Sequence, residues 1–108
     1  MDSEKYKKIM DTFGFRNQMK KLNEEVFEFL EAVDNYEDEL AFHVGDKVYE
    51  NMCRDNVVEE LSDVLILLFQ FIEKYDIETE ELDTYIDYKL NRTLDRIETG
   101  FYDKKEEE

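Results

Sequence analysis

The chain has 108 residues, of which 42% are hydrophobic and 41% charged, and its formal net charge is −16 at pH 7. This balance is typical of a globular domain, and the negative charge excludes a general nucleic-acid binder, which needs a basic face. The single cysteine excludes an intrachain disulfide and fits a reducing compartment. No apolar run reaches the roughly 20 residues of a membrane span, and no signal-peptide pattern opens the chain, so we expect a cytoplasmic protein without a membrane partner.

Glycine and proline usage favours long helices, because the sequence contains no proline and only three glycines. Residues 1–13 are weakly amphipathic and predict a short first helix that Gly14 ends. Over 15–33, apolar residues recur at helical spacing and predict the first long helix. The expected core stripe of this helix consists of Leu22, Val26, Phe29 and Val33.

The middle of the sequence predicts a second long helix. Residues 34–54 are acidic at first, and a short helix is predicted over 47–53. Asn56 followed by Glu59 forms a capping-box pattern, which predicts that the second long helix starts there and runs over 57–75. This stretch is the most apolar in the chain, so we expect it to be buried on two faces.

The last long helix is predicted to start at a Thr79 cap, to run to Glu98 and to end at Gly100. The charged tail, 103–108, is expected to fray. Three long helices with one or two short ones predict an all-α helical bundle.

Two carboxylates mark the first long helix. Glu25 and Glu28, at i and i+3, lie on one flank of its core stripe, with Lys21 between them and Gln18 closer in. These acids are candidates for metal ligands. The alternative is that both are solvated surface charges, which are common in so acidic a chain.

A second carboxylate pair has the same spacing in a more apolar setting. Glu60 and Asp63 share a face of the second long helix with Val64, Leu67 and Phe71. A carboxylate beside a core is costly unless it is paired or bound to a metal ion, and the sequence offers few cations nearby. Hard oxygen ligands, with almost no histidine or cysteine, predict Mg²⁺, with Mn²⁺ as a substitute.

The last helix carries clustered cations. Lys89, Arg92 and Arg96 fall on one side of it, and Tyr85 and Tyr88 lie on the same side. Arginine and lysine suit phosphate oxygens, and tyrosine can stack on a base or ribose. The alternative is that these residues pair with surface acids and cover the core with their stems. Together with the carboxylates, they predict a site for a metal-bound triphosphate.

Three segments together resemble the MazG-like superfamily of all-α nucleoside-triphosphate pyrophosphohydrolases. They are KLNEEVFEFLEAV (21–33), EELSDVLILLF (59–69) and the basic KLNRTLDRI (89–97). The resemblance covers about 14–101, which would be the core of a single domain spanning 1–108. Their order, helical setting and basic helix make the resemblance more specific than each short motif is alone.

The family motifs EExxE and ExxD have their counterparts here in Glu24-Glu25-x-x-Glu28 and Glu60-x-x-Asp63. The resemblance implies that Mg²⁺ is bound by Glu25, Glu28, Glu60 and Asp63, with Glu24 as an accessory. It also implies a homodimer or a dimer of dimers, with the site near a subunit interface. The spacing between the motifs is longer than usual in the family, so the segment between them is enlarged.

These features predict Mg²⁺-dependent hydrolysis of an NTP or dNTP to the monophosphate and pyrophosphate, by in-line attack of water at the α-phosphorus. A ligating carboxylate or Glu24 would accept the proton, and the three cations of the last helix would stabilise the pyrophosphate. Lys21 and Gln18 are expected to contact phosphate or base.

Three alternatives remain open at the level of the sequence. The first is hydrolysis of phosphoribosyl-ATP in histidine synthesis, and the second is an enzyme specific for dUTP or dCTP, since base selectivity depends on pocket shape. The third is a non-catalytic, acidic helical binding protein. Magnesium-dependent release of pyrophosphate separates the third from the others.

Overall fold

The computed structural model describes residues 3–43 and 45–100, and within these ranges it contains helices and no strand. The prediction of an all-α fold is therefore confirmed, whereas the predicted fraying of 103–108 lies outside the described residues. The helices are α1 (Ser3–Phe13), α2 (Phe15–Phe42), α3 (Lys47–Lys74) and α4 (Thr79–Glu98). None of these helices is both long and apolar enough to cross a membrane. The chain divides into two compact units, Met1–Tyr75 and Asp76–Glu108.

The first unit is built around the antiparallel pair of α2 and α3, each of which has 28 residues. Near one end of the pair, the side-chain amide of Gln18 donates to that of Gln70, with 2.8 Å between Nε2 and Oε1. Further along, Ala32 of α2 shares a small cavity with Asn56 of α3. This antiparallel register brings the two predicted acid motifs to the same level of the helix pair.

The end of α1 and the start of α2 lie where the sequence predicts. Gly14 follows α1 with φ +84°, a conformation that glycine adopts without steric cost, and it separates α1 from α2. The predicted end of α2 at Val33 is wrong, because the helix continues to Phe42. Residues 34–42 contain neither glycine nor proline, so nothing in them stops the helix.

The predicted N-cap at Asn56 is also wrong. α3 begins at Lys47 and continues through Asn56, so the predicted short and long helices form one helix. Asp46 is the N-cap, and its carboxylate accepts a hydrogen bond from the backbone N–H of Tyr49 at 3.2 Å. A capping-box pattern is not proof of a helix start, because asparagine and glutamate are also tolerated inside a helix.

In the second unit, α4 starts at Thr79 and ends at Glu98, as predicted. The predicted cap is wrong by one residue, because Glu78 occupies the N-cap position and no side chain makes a capping hydrogen bond. Gly100 has φ +74° and donates its N–H to the carbonyl of Ile97 at 3.2 Å, which completes the end of the helix. No residue of α4 is buried.

The core of the first unit is small, and polar side chains make up much of it. α1 packs on α3 through the rings of Tyr6 and Phe69, whose centroids are 5.6 Å apart, and through a hydrogen bond from Ser3 to Glu73. The buried apolar residues of the described ranges are Met10, Ala32, Val64 and Leu67. The buried polar residues are Gln18, Glu25 and Gln70.

The expected core stripe of α2 coincides only in part with its buried face. Leu22, Phe29 and Val33 are half-buried, whereas Val26 is 37% exposed. The fully buried residues of α2 are Gln18, Glu25 and Ala32, seven positions apart, which places them on one side of the helix. Periodicity of apolar residues cannot find a face whose buried members are mostly polar.

Candidate functional site

Three carboxylates from α2 and α3 converge in the middle of the helix pair. One carboxylate oxygen from each of Glu25, Glu60 and Asp63 lies within 4.8 Å of the others. Glu60 and Asp63 are one turn apart on the face of α3 that also carries the buried Val64, as the sequence predicts. We call these three residues the acid cluster. It contains three of the four predicted metal ligands.

Glu28, the fourth predicted ligand, is exposed at the edge of the acid cluster. The negative charge of Glu25 is the largest cause of a raised pKa at Glu28; the Glu25 carboxylate as an acceptor for a protonated Glu28, partial desolvation and the charge of Glu60 raise that pKa further. Glu24, the predicted accessory, is exposed on α2.

Glu25 is the most unusual member of the acid cluster, because it is only 6% exposed. Its Oε1 forms an ion pair with Nζ of Lys21 at 3.0 Å, while its Oε2 is buried and accepts no hydrogen bond from the described residues. Oε2 of Glu60 is in the same situation. A buried carboxylate oxygen without a donor destabilises the fold, so both oxygens are suited to a cationic ligand.

The electrostatics of the acid cluster also favour an added cation. Partial burial raises the pKa of Glu60, and the charges of Asp63 and Glu25 raise it further. Hydrogen bonding to Glu25, and its charge, raise the pKa of Lys21, whose side chain is 54% exposed. The single ammonium group of Lys21 is screened by solvent, so it offsets little of the repulsion among these carboxylates. Because every donor is a hard oxygen, the residues present fit Mg²⁺ or Mn²⁺.

A cavity of about 590 Å³ adjoins the acid cluster and is lined by all three helices of the first unit. Glu25 and Asp63 line it together with Lys21, Gln18 and Gln70. Gln18 precedes Glu25 by seven residues, which corresponds to about 10 Å along α2. The cavity therefore joins carboxylates to a pair of neutral amides, and it has the size of an ordinary small-molecule site.

Part of this cavity is predicted by the sequence. The predicted substrate residues Gln18 and Lys21 line it, but Gln70 and the α1 residues Ile9 and Phe13, which also line it, were not predicted. Gln70 did carry a signal, because it is the only polar residue in the apolar run 64–72. The α1 residues line the cavity only because of tertiary packing, and the sequence carries no signal that predicts this.

The other predicted substrate residues lie on α4, in the second unit. The guanidinium of Arg92 lies over the ring of Tyr88, 5.6 Å from its centroid. These two residues and Arg96 line a depression in the surface of α4. Tyr85 and Lys89 are exposed on the same helix. Binding of a triphosphate by these residues stays a prediction.

Comparison of the chain with protein-family models, with curated proteins and with solved structures finds no match. The resemblance to the MazG-like superfamily thus depends on the motifs quoted above.

Proposed function

We propose that this protein is a Mg²⁺-dependent nucleoside-triphosphate pyrophosphohydrolase of the MazG-like type, which cleaves an NTP or dNTP to the monophosphate and pyrophosphate. The observation that carries the proposal is the burial of Glu25, with an unpartnered oxygen, in a cluster with Glu60 and Asp63. A charge is retained in such a position at a cost in stability, which favours a functional role.

The carboxylate donors and the net charge both favour a phosphate substrate. Mg²⁺ is usually held by a few carboxylates together with substrate phosphates, and it retains open coordination positions. At a net charge of −16, the chain repels an anion unless a cation screens the acids. A metal-bound triphosphate meets both conditions, and the adjoining cavity offers room for the rest of a nucleotide.

In the proposed reaction, Glu25, Glu60 and Asp63 hold the metal, and Glu28 lies at the edge of the site. Bound Mg²⁺ would neutralise the triphosphate and lower the pKa of a coordinated water. Glu28 is our first choice for the proton acceptor, because it is exposed to solvent at the edge of the acid cluster, where an attacking water can reach it. Exposed Glu24 is the second choice.

Two groups of cations are proposed to bind phosphate. Lys21 lines the cavity beside Glu25 and can reach an oxygen of the substrate. The second group is the basic face of α4, Lys89, Arg92 and Arg96, whose forked and point-charge donors suit phosphate oxygens.

We also propose that a second copy of the chain packs on the outer face of α3. Leu61, Leu65 and Leu68 recur at helical spacing there and are 39–40% exposed. Covering them with a second copy would remove apolar surface from water. Light scattering is expected to give at least twice the 13.2 kDa chain mass, and Leu65→Glu to lower it. A 13.2 kDa species at micromolar concentration contradicts this association.

Pyrophosphate release from a panel of NTPs and dNTPs, with phosphoribosyl-ATP included, tests the proposed function. We expect turnover of at least one substrate with Mg²⁺, none with EDTA, and loss of turnover in Asp63→Asn. Asp34→Asn is the matched control, since Asp34 is exposed on α2 outside the acid cluster. Turnover of phosphoribosyl-ATP alone would identify the histidine-synthesis activity. Metal binding without any turnover would favour the acidic binding protein.

A further inference from the structure

We propose that the amide end of the cavity binds the nucleobase, with Gln18 reading the base edge and Gln70 holding Gln18 in place. This inference rests on the proposed function, because it assigns the rest of the same substrate to the space beside the acid cluster. The acid cluster alone would serve any polyphosphate. The amide pair makes the site selective for a nucleotide.

The first support is the burial of the two amides. Gln70 is 1% exposed and Gln18 is 7% exposed, in a unit with few buried apolar side chains. Burying an amide is costly unless its polar atoms are hydrogen-bonded, so two buried glutamines weaken a small core. Leucine would fill the same space without that cost. Retention of both amides next to a cavity favours a role in binding.

The second support is the hydrogen-bonding capacity that remains on Gln18. Its Nε2 donates one hydrogen to Oε1 of Gln70 at 2.8 Å, which fixes the orientation of the amide. A carboxamide also has a second N–H and a carbonyl oxygen, and Gln18 lines the cavity. A donor beside an acceptor matches the hydrogen-bonding edge of a nucleobase, as in the pairing of glutamine with adenine.

The third support is the apolar lining of the same cavity. Phe13, Ile66 and Leu67 line it with the two glutamines. A nucleobase has apolar ring faces and a polar edge, so it needs this mixture of apolar walls and a few fixed amides. Lys21 and Glu25 line the cavity as well, which leaves the ribose and phosphates toward the acid cluster. A sugar phosphate or inorganic polyphosphate has no apolar ring face that could pack against these walls.

Binding can be tested without turnover, by NMR of the side-chain amides in the full chain with Mg²⁺. The Gln18 signals are assigned as those lost in Gln18→Leu. We expect one or two of the four common nucleoside monophosphates to shift the Gln18 amide signals, and ribose 5-phosphate to leave them in place. Equal shifts with ribose 5-phosphate, or no shift with any monophosphate, would overturn the inference.

Kinetics then separate this inference from the proposed function. For the preferred triphosphate, Gln18→Leu is expected to raise KM so that kcat/KM falls on the order of tenfold to a hundredfold. Hydrolysis of inorganic tripolyphosphate and the affinity for Mn²⁺ should change less than about twofold. Gln70→Leu should give a smaller loss, also in KM, because Gln70 acts through Gln18. Asn23→Leu, an exposed change on the same helix, is the control.

The two failures are distinguishable. If every triphosphate is hydrolysed equally by wild type and Gln18→Leu, the nucleobase inference is wrong while the proposed function stands. If no triphosphate is hydrolysed but a monophosphate shifts the Gln18 signals selectively, the proposed function is wrong and the base site stands. Unchanged Mn²⁺ affinity and an unchanged circular dichroism spectrum show that each variant is folded.

Discussion

Two regions of this protein carry the same kind of sequence pattern, charged residues one helical turn apart, and the structure treats them differently. In the acid cluster of α2 and α3, Glu25 is 6% exposed and has an oxygen without a hydrogen-bond donor. On α4, no residue is buried: of the basic residues, Lys89 and Arg92 are exposed and Arg96 is half-buried.

The two regions differ in how much their charged residues would destabilise the fold if they had no ligand. A surface arginine or lysine among many acids is solvated at almost no cost, and a surface ion pair contributes little. A buried carboxylate oxygen without a hydrogen-bond donor destabilises the fold. The burial of Glu25 is therefore evidence for a metal site. The phosphate role of α4 depends on residue spacing alone and has weaker support.

The largest effect is expected at the most buried acid. Glu25→Gln should lower the affinity for Mn²⁺ by more than the roughly tenfold to hundredfold seen when a residue supporting a metal ligand is removed, because Glu25 is proposed to bind the metal directly. Hydrolysis should fall by at least the same factor. Isothermal titration with Mn²⁺ and the pyrophosphate assay measure the two effects.

Glu31→Gln is the matched control, since Glu31 is an exposed glutamate of the same helix outside the acid cluster. Equal Mn²⁺ affinity in wild type and both variants would remove Glu25 from the ligand set.

The next effect concerns α4. If Arg92 binds a phosphate, Arg92→Ala should cost roughly 1.5–3 kcal/mol of transition-state stabilisation, or on the order of tenfold to a hundredfold in kcat/KM. Mn²⁺ affinity should be unchanged. Arg92→Lys should recover only part of the loss, because lysine lacks the forked geometry. Steady-state kinetics at saturating Mg²⁺, with Arg54→Ala as an exposed control on α3, give the answer.

A merely exposed arginine gives the opposite outcome for Arg92→Ala. Activity would then change less than about twofold, as expected for a weak surface pair. That result would assign the basic face of α4 to the scaffold and limit the proposed site to the acid cluster and the adjoining cavity.

A smaller effect is expected on stability when the metal is added. At about 100 times its Kd, a ligand that binds only the folded state adds about 2.7 kcal/mol to the free energy of unfolding. Thermal melts of wild type should therefore shift upward between EDTA and excess Mg²⁺, whereas those of Asp63→Asn should coincide. Identical wild-type melts would mean that the clustered carboxylates do not share a metal.

The smallest expected effect is the pH dependence of the metal-free protein. The pKa values of Glu60 and Glu28 are raised above the ordinary 4.5, so their contribution to stability is full below about pH 4.5 and is lost as the pH rises through the raised values. With EDTA, the urea midpoint should rise as the pH falls from 7 toward 5. Glu60→Gln should reduce that slope, and an equal slope in the variant would contradict the assignment.

The helices were largely predictable from the sequence, but the end of α2 and the start of α3 were not. Gly14 and Gly100 end helices because both adopt positive φ, and the sequence identifies them as stops. Asn56 was misread, because a capping box inside a helix looks the same as one at its start. The extension of α2 to Phe42 was missed because acidic residues give no periodic signal.

The features of the candidate site that lie within a single helix were predictable from the sequence. The i, i+3 spacing identified Glu60 and Asp63, and the structure brings both close to Glu25, while metal binding by the three stays a prediction. The sequence could not predict that Glu25 is nearly buried, because that follows from the antiparallel register of α2 and α3. It also gave no partner for Gln18, since Gln70 is 52 residues away along the chain.

The central claim, magnesium-dependent cleavage between the α- and β-phosphorus, is tested most directly by ³¹P NMR of a reaction in ¹⁸O-labelled water. We use the substrate that turns over in the panel. The account predicts a nucleoside monophosphate that carries ¹⁸O and an unlabelled pyrophosphate, with no reaction in EDTA or with Glu25→Gln. Orthophosphate with a nucleoside diphosphate, label in the pyrophosphate, or undiminished turnover in EDTA would contradict it.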